Sequence, residues 1–203
     1  MSPETPPSKD EIRSRHRKIR VGMQPGVLSA AGAGIAVHGL SWADSIAAGR
    51  PATFTAYLGV AFEPPTLPLI TALFQAGYKV LLPVCEPDRA LSWVLWNPAT
   101  EFVRSRYAPI EEPAGERHGL EAVGDVAGMF LPATAVDGSG NRIGQGGGYY
   151  DKFLAAMDAT GVHAPRAAVI YDSELLPASS IPVESFDRPV DAVLTPSGVV
   201  QLT

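Results

Sequence analysis

Residues 127–157, AGMFLPATAVDGSGNRIGQGGGYYDKFLAAM, join an apolar run, a glycine-rich loop and an amphipathic segment. Ala127 to Val136 is an apolar run punctuated by Pro132, which predicts a strand ending near that proline. Tyr150, Phe153, Leu154 and Met157 recur at i, i+3, i+4 and i+7, the apolar face of a helix. Between them, positions 138–148 hold six glycines in eleven residues: Gly138, Gly140, Gly144, Gly146, Gly147 and Gly148. Without Cβ atoms, successive N–H groups can turn toward one anion, and the helix that follows adds its positive dipole end. Each charge-assisted hydrogen bond contributes roughly 1.5–3 kcal/mol, so three or four would anchor a phosphate chain. The competing reading is a hairpin-like connection with no ligand. The loop's place at a strand's carboxyl end favours a ligand, because open parallel sheets bind there. Two familiar phosphate motifs fail: no Gly-Lys-Ser/Thr occurs, and the phase is G-x-G-G-G-Y rather than G-x-G-x-x-G.

Asp151 stands in the first turn of this helix, where an acidic residue commonly compensates the dipole. Phosphates at the same helix end would be repelled by that carboxylate. A divalent cation between them removes the conflict, and Mg²⁺ usually takes one or two carboxylates plus phosphate oxygens. Loop and Asp151 together point to a magnesium nucleotide more than to a bare anion.

Outward from the loop, a strand–helix rhythm appears. Ser8-Lys9-Asp10-Glu11 fits a capping box, opening a helix that carries Lys9, Arg13, Arg15, Arg17, Lys18 and Arg20. Residues 27–48 are alanine-rich and expected to be helical despite Gly32, Gly34 and Gly39. Phe54 to Leu58 is an expected strand closed by Glu63-Pro64-Pro65, and Leu67 to Ala76 a helix with Pro68 in its first turn and Gly77 beyond its end. Lys79 to Cys85 and Leu91 to Trp96 are strands around a Pro87-Asp88 turn, while 98–118 is loop-like. Trp93 and Trp96 are expected on opposite faces, one in the core and one exposed. Ala167 to Tyr171 and Ala192 to Leu194 close the series. The alternation predicts an α/β fold in three α/β/α layers with a mostly parallel sheet. One domain over 8–203 follows a frayed, proline-rich leader at 1–7.

The 203 residues are 46% apolar, enough for a real core, and only 18% charged. Sixteen basic against 21 acidic side chains argue against a nucleic-acid footprint. The single cysteine, Cys85, lies in an apolar run and reads as a core residue, with no disulfide framework or cysteine-rich metal site. No stretch is expected to reach the ~18 uncharged apolar residues of a membrane span, and Met1 to Pro7 lacks a signal peptide's apolar region. A cytoplasmic protein without membrane or nucleic-acid partners is expected.

The segment Phe130-Leu131-Pro132 through Gly140-Asn141-Arg142-Ile143-Gly144-Gln145-Gly146-Gly147-Gly148-Tyr149-Tyr150-Asp151 resembles the signature of 5-formyltetrahydrofolate cyclo-ligases, also called methenyltetrahydrofolate synthetases. Lys9-x-x-x-Arg13, Leu58 with Glu63-Pro64-Pro65-Thr66, Ile110-x-Glu112-Pro113 and Val190-Asp191-Ala192-Val193-Leu194 are similar to further family blocks in the same order. The resemblance implies a fold like that of sugar-phosphate isomerases and CoA-transferases. It implies conversion of 5-formyltetrahydrofolate and MgATP to 5,10-methenyltetrahydrofolate, ADP and phosphate, by phosphorylation of the formyl oxygen and attack by N10. Such a transfer needs positioning and charge neutralisation more than a protein nucleophile, which agrees with the lack of a G-x-S-x-G elbow.

The resemblance also implies roles. Lys9, Arg13, Arg142, Ile143, Gly144, Gln145, Gly146, Gly147, Gly148, Tyr149 and Tyr150 would bind ATP. Leu58, Glu63, Gln145, Gly146, Gly147, Gly148 and Tyr149 would meet the folate, with Glu63 and Arg142 as the catalytic pair. Asp151 and Asp191 would hold Mg²⁺, with a strand-edge cap as the competing reading of Asp191. Tyr107 is expected in core packing rather than stacked on folate. Some family members carry a basic residue where Gln145 or Gly147 stands, so phosphate charge would rest on Lys9, Arg13 and Arg142. A monomer is expected. The alternatives are an isomerase-like enzyme on the same fold and a non-catalytic nucleotide- or folate-binding protein.

Overall fold

The computed structural model describes residues 7–161 and 163–202. The expected leader therefore lies, but for Pro7, outside the described residues. Helix α1 (Lys9–Val21) starts on the expected capping box: the Ser8 N–H donates to Glu11 Oε2 at 2.8 Å, and the Glu11 N–H donates to Ser8 Oγ at 3.3 Å. Helix α2 (Pro25–Ala47) follows, then β1 (Thr53–Thr55), α3 (Leu67–Gln75), β2 (Lys79–Cys85) and β3 (Leu91–Trp96). A hairpin of β4 (Phe102–Arg104) and β5 (Glu111–Pro113) lies within the stretch expected to be a loop. Its strands are three residues long, with Val103 and Arg104 exposed, so they lack the apolar alternation that marks a strand.

The second half holds β6 (Gly128–Pro132), β7 (Ala135–Asp137), β8 (Arg142–Ile143), α4 (Tyr149–Ala159), β9 (Arg166–Val169), β10 (Leu175–Leu176), β11 (Ala192–Thr195) and β12 (Gly198–Gln201). The main sheet has seven strands in the order β12-β11-β9-β6-β1-β2-β3. Its five inner strands are parallel, and β3 and β12 pair antiparallel at the edges.

Side-chain alternation along these strands builds two cores. Val80 and Leu82, Phe130, Ala167 and Val169, and Ala192 and Leu194 face α2 and α3, against Ile35, Trp42, Leu69, Ile70 and Leu73. Leu81, Met129, Leu131, Ala168 and Val193 face the other way, against Phe153, Leu154 and Met157 of α4. The result is the expected three-layer α/β/α arrangement. Trp93 and Trp96 do face opposite cores, but both are buried, because α3 and the aromatic ring of Phe74 cover Trp96.

Helix α2 corrects one expectation. It is long and apolar enough to span a membrane by length and composition. Here its face packs on α3, β11 and β12. The glycines that weaken it as an isolated helix are contact points: a Cβ on Gly39 would stand 2.6 Å from Leu69 Cδ1, and one on Gly34 would collide with the Pro196 carbonyl. Gly26, in the same helix, has nothing within 4 Å of a notional Cβ. Gly34→Ala is therefore expected to lose about 1–3 kcal/mol by overpacking, and Gly26→Ala to be neutral or to gain up to about 1 kcal/mol of helix propensity, read from urea unfolding midpoints.

Candidate active site

In the parallel strands the chain order reverses between β1 and β6: β1 leads to α3 on one face, and β6 leads by way of β7 and β8 to α4 on the other. The crevice at the carboxyl ends of two such strands is where open α/β sheets bind ligands. Both sequence-derived loops leave from it. Beyond β1, the Thr66 hydroxyl donates to the Tyr57 carbonyl and accepts the Gly59 N–H at 2.8 Å, closing the loop that carries Glu63. Within it the Glu63 N–H donates to the Val60 carbonyl at 3.0 Å, and Glu63 Oε2 accepts the Val60 N–H at 3.2 Å.

Beyond β6, the glycine-rich stretch divides into two parts. Its first half is the β7–β8 hairpin, closed by Asp137 Oδ1, which accepts the Ser139 and Asn141 N–H groups at 2.9 and 3.1 Å. Its second half, Gly144 to Gly148, leads into α4. Gly148 is the N-cap at φ 72°, with no side-chain cap on the helix. Two long-range bonds hold this half. Arg13 Nε donates to the Gly144 carbonyl at 2.9 Å, and Gln145 Nε2 donates to Glu63 Oε1 at 3.3 Å across 82 residues of sequence.

Arg142 lies beneath the loop. Its Nη2 donates to Asp151 Oδ1 at 2.7 Å and its Nη1 to the Pro132 carbonyl at 3.1 Å, while Nε has no partner among the described residues. Buried polar atoms without partners gather here: Thr55 Oγ1 and Tyr57 OH on the β1 side, Thr134 Oγ1, Arg142 Nε and Tyr150 OH on the β6 side. Such atoms are uncommon in folded proteins and mark a place that takes a polar ligand or solvent. Burial raises the Glu63 carboxyl above the ordinary range, against the Val60 and Gln145 donors and the Arg20 charge. Burial and then the Glu63 charge raise both the Tyr57 and Tyr150 phenols.

The structure brings Arg13, Glu63, Arg142, Gly144, Gln145, Gly146, Gly147, Gly148, Tyr150 and Asp151 to this crevice, with half-buried Leu58 in the β1 loop. Tyr149 has Cys85, Glu112 and Arg89 as its neighbouring ionisable groups, and burial and then Cys85 raise its phenol. Cys85 is buried as expected, its thiol pushed up to about 12 by burial and then by Glu112.

For four residues the structure gives a position or a partner that the sequence did not show. The Ile143 side chain packs with Ile12, Ala135 and Ile181, and its carbonyl accepts the Thr134 N–H at 2.6 Å, so it faces a core rather than a nucleotide. Lys9 Nζ contacts Glu184 Oε2 at 2.7 Å and Asp187 Oδ2 at 2.6 Å. These bonds outweigh the lowering effect of burial and raise its pKa, so Lys9 is a paired cation and not a free one. Asp191 immediately precedes β11, at the amino edge of the parallel strands, where its Oδ2 accepts the Arg166 N–H at 2.8 Å. It is the strand-edge cap and shares no cation site with Asp151 at the carboxyl edge. Tyr107 is exposed, because it lies in the short β4–β5 connection with no core above it.

Residues without an expected role also converge. Arg20 Nε and Nη2 grip the buried Glu174 carboxylate at 2.6 and 2.7 Å, Glu174 Oε2 accepts the Tyr171 N–H, and the Tyr171 hydroxyl donates to the Glu63 carbonyl at 3.2 Å. The signal for Arg20 was helical spacing: Ile12, His16 and Arg20 share one buried stripe of α1. Glu174 and Tyr171 have no sequence signature.

An α/β fold with a glycine-rich loop at its reversal point defines the class of open α/β proteins that take ligands at the carboxyl edge of the sheet. Residues 7–196 match the model of the 5-formyltetrahydrofolate cyclo-ligase family, and the chain belongs to that family. It is 38% identical over 156 residues to the 5-formyltetrahydrofolate cyclo-ligase of Mycolicibacterium smegmatis, covering 74% of this chain and 77% of that one. It is 31% identical over 190 residues to the enzyme of that name from Escherichia coli K12, covering 93% and 98%. The fold matches the solved 5,10-methenyltetrahydrofolate synthetases of Aquifex aeolicus (TM-score 0.74, 23% identity, 96% of this chain and 92% of that one) and Mycoplasma pneumoniae (TM-score 0.71, 13% identity, 93% and 98%).

Because burial raises the folded-state pKa of Glu63, folded protein holds that proton to higher pH than the unfolded chain does. The group's contribution to stability therefore falls as pH rises from the unfolded value through the folded one. Glu63→Gln removes that fall. Its urea midpoint relative to wild type should be more favourable at pH 7 than at pH 4, while turnover drops.

Proposed function

We propose that the chain closes 5-formyltetrahydrofolate to 5,10-methenyltetrahydrofolate at the expense of MgATP, in the crevice between the Glu63 loop and the Gly144–Gly148 loop. The observation that carries this reading is the Gln145–Glu63 hydrogen bond, which sets a folate-side carboxylate against a phosphate-side amide loop at the reversal point of the sheet.

The chemistry follows from the substrate. The N5-formyl group is amide-like: its carbon is a poor electrophile and its oxygen a poor leaving group. Transfer of the γ-phosphoryl group to that oxygen releases ADP and corrects both faults. N10 then attacks the carbon and loses its proton, and the C–O bond breaks to expel phosphate, leaving the methenyl bridge. Main-chain N–H groups of the glycine loop and the N-terminus of α4 stabilise charge on the phosphates. Arg13 holds the loop by its Gly144 carbonyl. Arg142, fixed by Asp151 and Pro132, supplies a buried positive charge beneath the loop. Glu63 accepts hydrogen bonds from donors on the folate, and its raised pKa suits a group that also handles a proton.

The donor set fits Mg²⁺ in one way. Among the described residues no group of three or more His, Cys, Asp or Glu is placed to hold a metal ion. Asp151 keeps Oδ2 clear of the Arg142 contact. It would act as the protein ligand beside phosphate oxygens and water, which is how Mg²⁺ commonly binds. The cation would neutralise phosphate charge during transfer.

Incubation of the protein with 5-formyltetrahydrofolate, ATP and Mg²⁺ should produce the near-ultraviolet absorbance of the methenyl product, and omission of any one should abolish it. Folded protein that gives no absorbance gain with intact reagents overturns the reading. Asp151→Asn should raise the Mg²⁺ concentration for half-maximal rate several-fold. It should also lower the melting temperature, because Arg142 keeps an uncompensated buried charge.

A further inference from the structure

The β2–β3 turn, Pro87-Asp88-Arg89, reaches the glycine loop from a part of the sequence with no assigned role. Asp88 and Arg89 both adopt left-handed backbone, each at φ 59°, a conformation that side chains rarely occupy. Lys152 in the first turn and a half of α4 donates through Nζ to the Asp88 carbonyl at 2.6 Å, tying the turn to that helix. A Cβ built on Gly148 would stand 3.5 Å from Arg89 Nη1 and 3.7 Å from Arg89 Cδ, so the guanidinium lies against the N-cap of α4.

Charge at the loop is otherwise committed. Lys9 is paired with Glu184 and Asp187, Arg13 with Asp10 and the Gly144 carbonyl, and Arg142 with Asp151 and the Pro132 carbonyl. The Arg89 side chain is exposed and makes no hydrogen bond or ion pair among the described residues. An independent sign of a ligand lies at the same helix end. Arg142 is 6% exposed and leaves Nε without a partner, with Nη1 3.2 Å from where a Gly144 Cβ would be.

We propose that Arg89 binds the nucleotide polyphosphate from above the loop, opposite Arg142, and supplies the positive charge that Gln145 and Gly147 do not. This rests on the ATP-dependent reaction given above. A guanidinium is suited to the task because its planar fork can meet two phosphate oxygens at once.

Arg89→Gly is the cleanest variant, since glycine accepts the left-handed backbone and removes only the side chain. Arg89→Lys keeps charge without the fork. Steady-state rates are measured with ATP varied at saturating 5-formyltetrahydrofolate and the reverse, and binding of a non-hydrolysable ATP analogue and of adenosine is measured by calorimetry. Arg89→Gly should raise the ATP KM about tenfold and weaken the analogue equally, with folate KM and adenosine binding within twofold. Arg89→Lys should recover part of the loss. Unchanged ATP KM and analogue affinity overturn the proposal, as does a rise in folate KM alone, or equal weakening of adenosine and analogue. Wild-type protein that binds the analogue but forms no methenyl product would sink the cyclo-ligase reading alone; the analogue comparison would still decide the role of Arg89.

Discussion

A buried ion pair holds the two halves of this site in register. Arg20 and Glu174 have side-chain exposures of 3% and 0%, and two hydrogen bonds join them. Taking such ions out of water costs several kcal/mol per ion, so neither can stay buried without the other. The pair closes because Arg20 also donates to the Ala133 carbonyl at 2.8 Å, just beyond β6, and Glu174 accepts the Tyr171 N–H beyond β9. Helix α1 is thereby fastened across the carboxyl edge of the sheet. From one end of that helix Arg13 reaches the glycine loop; from the other, the Tyr171 hydroxyl is fixed on the Glu63 backbone.

This arrangement explains how the glycine-rich loop is held in place without side-chain caps of its own. The glycine loop leaves its N–H groups free of side-chain caps, and Arg13, Gln145 and the Arg142–Asp151 pair supply its support from outside or beneath. The low charge content follows the same economy. Several of its few cations are engaged with carboxylates around the crevice, so the charge that faces a ligand is local rather than a property of the surface.

Much of the fold was legible because the strands obey one rule. Lys79–Cys85 and Leu91–Trp96 match their sequence ranges, since long apolar runs bounded by Gly77, Pro87 and Pro98 leave little freedom. The capping box placed α1, and Pro68 with Gly77 placed α3, because those residues satisfy local hydrogen bonds or dihedrals. The β4–β5 hairpin was not legible, and the β7–β8 hairpin entered only as the alternative to a ligand-binding loop. Each is short, and pairing rather than side-chain pattern defines it.

For the site, sequence alone determined the chemistry available: an amide-rich loop before a helix, Asp151 in that helix's first turn, and a carboxylate after the first strand. These are local facts, readable wherever φ freedom, helix spacing and charge lie within a few residues of one another. Tertiary structure decided which of the candidates share a cation site and which charges are spent. It sent Asp191 to the amino edge, turned Ile143 inward, paired Lys9 with Glu184 and Asp187, and brought Gln145 to Glu63. The physical reason is sheet topology: strand direction sets the edge on which a residue emerges, and that direction comes from hydrogen-bonded neighbours far away in the chain.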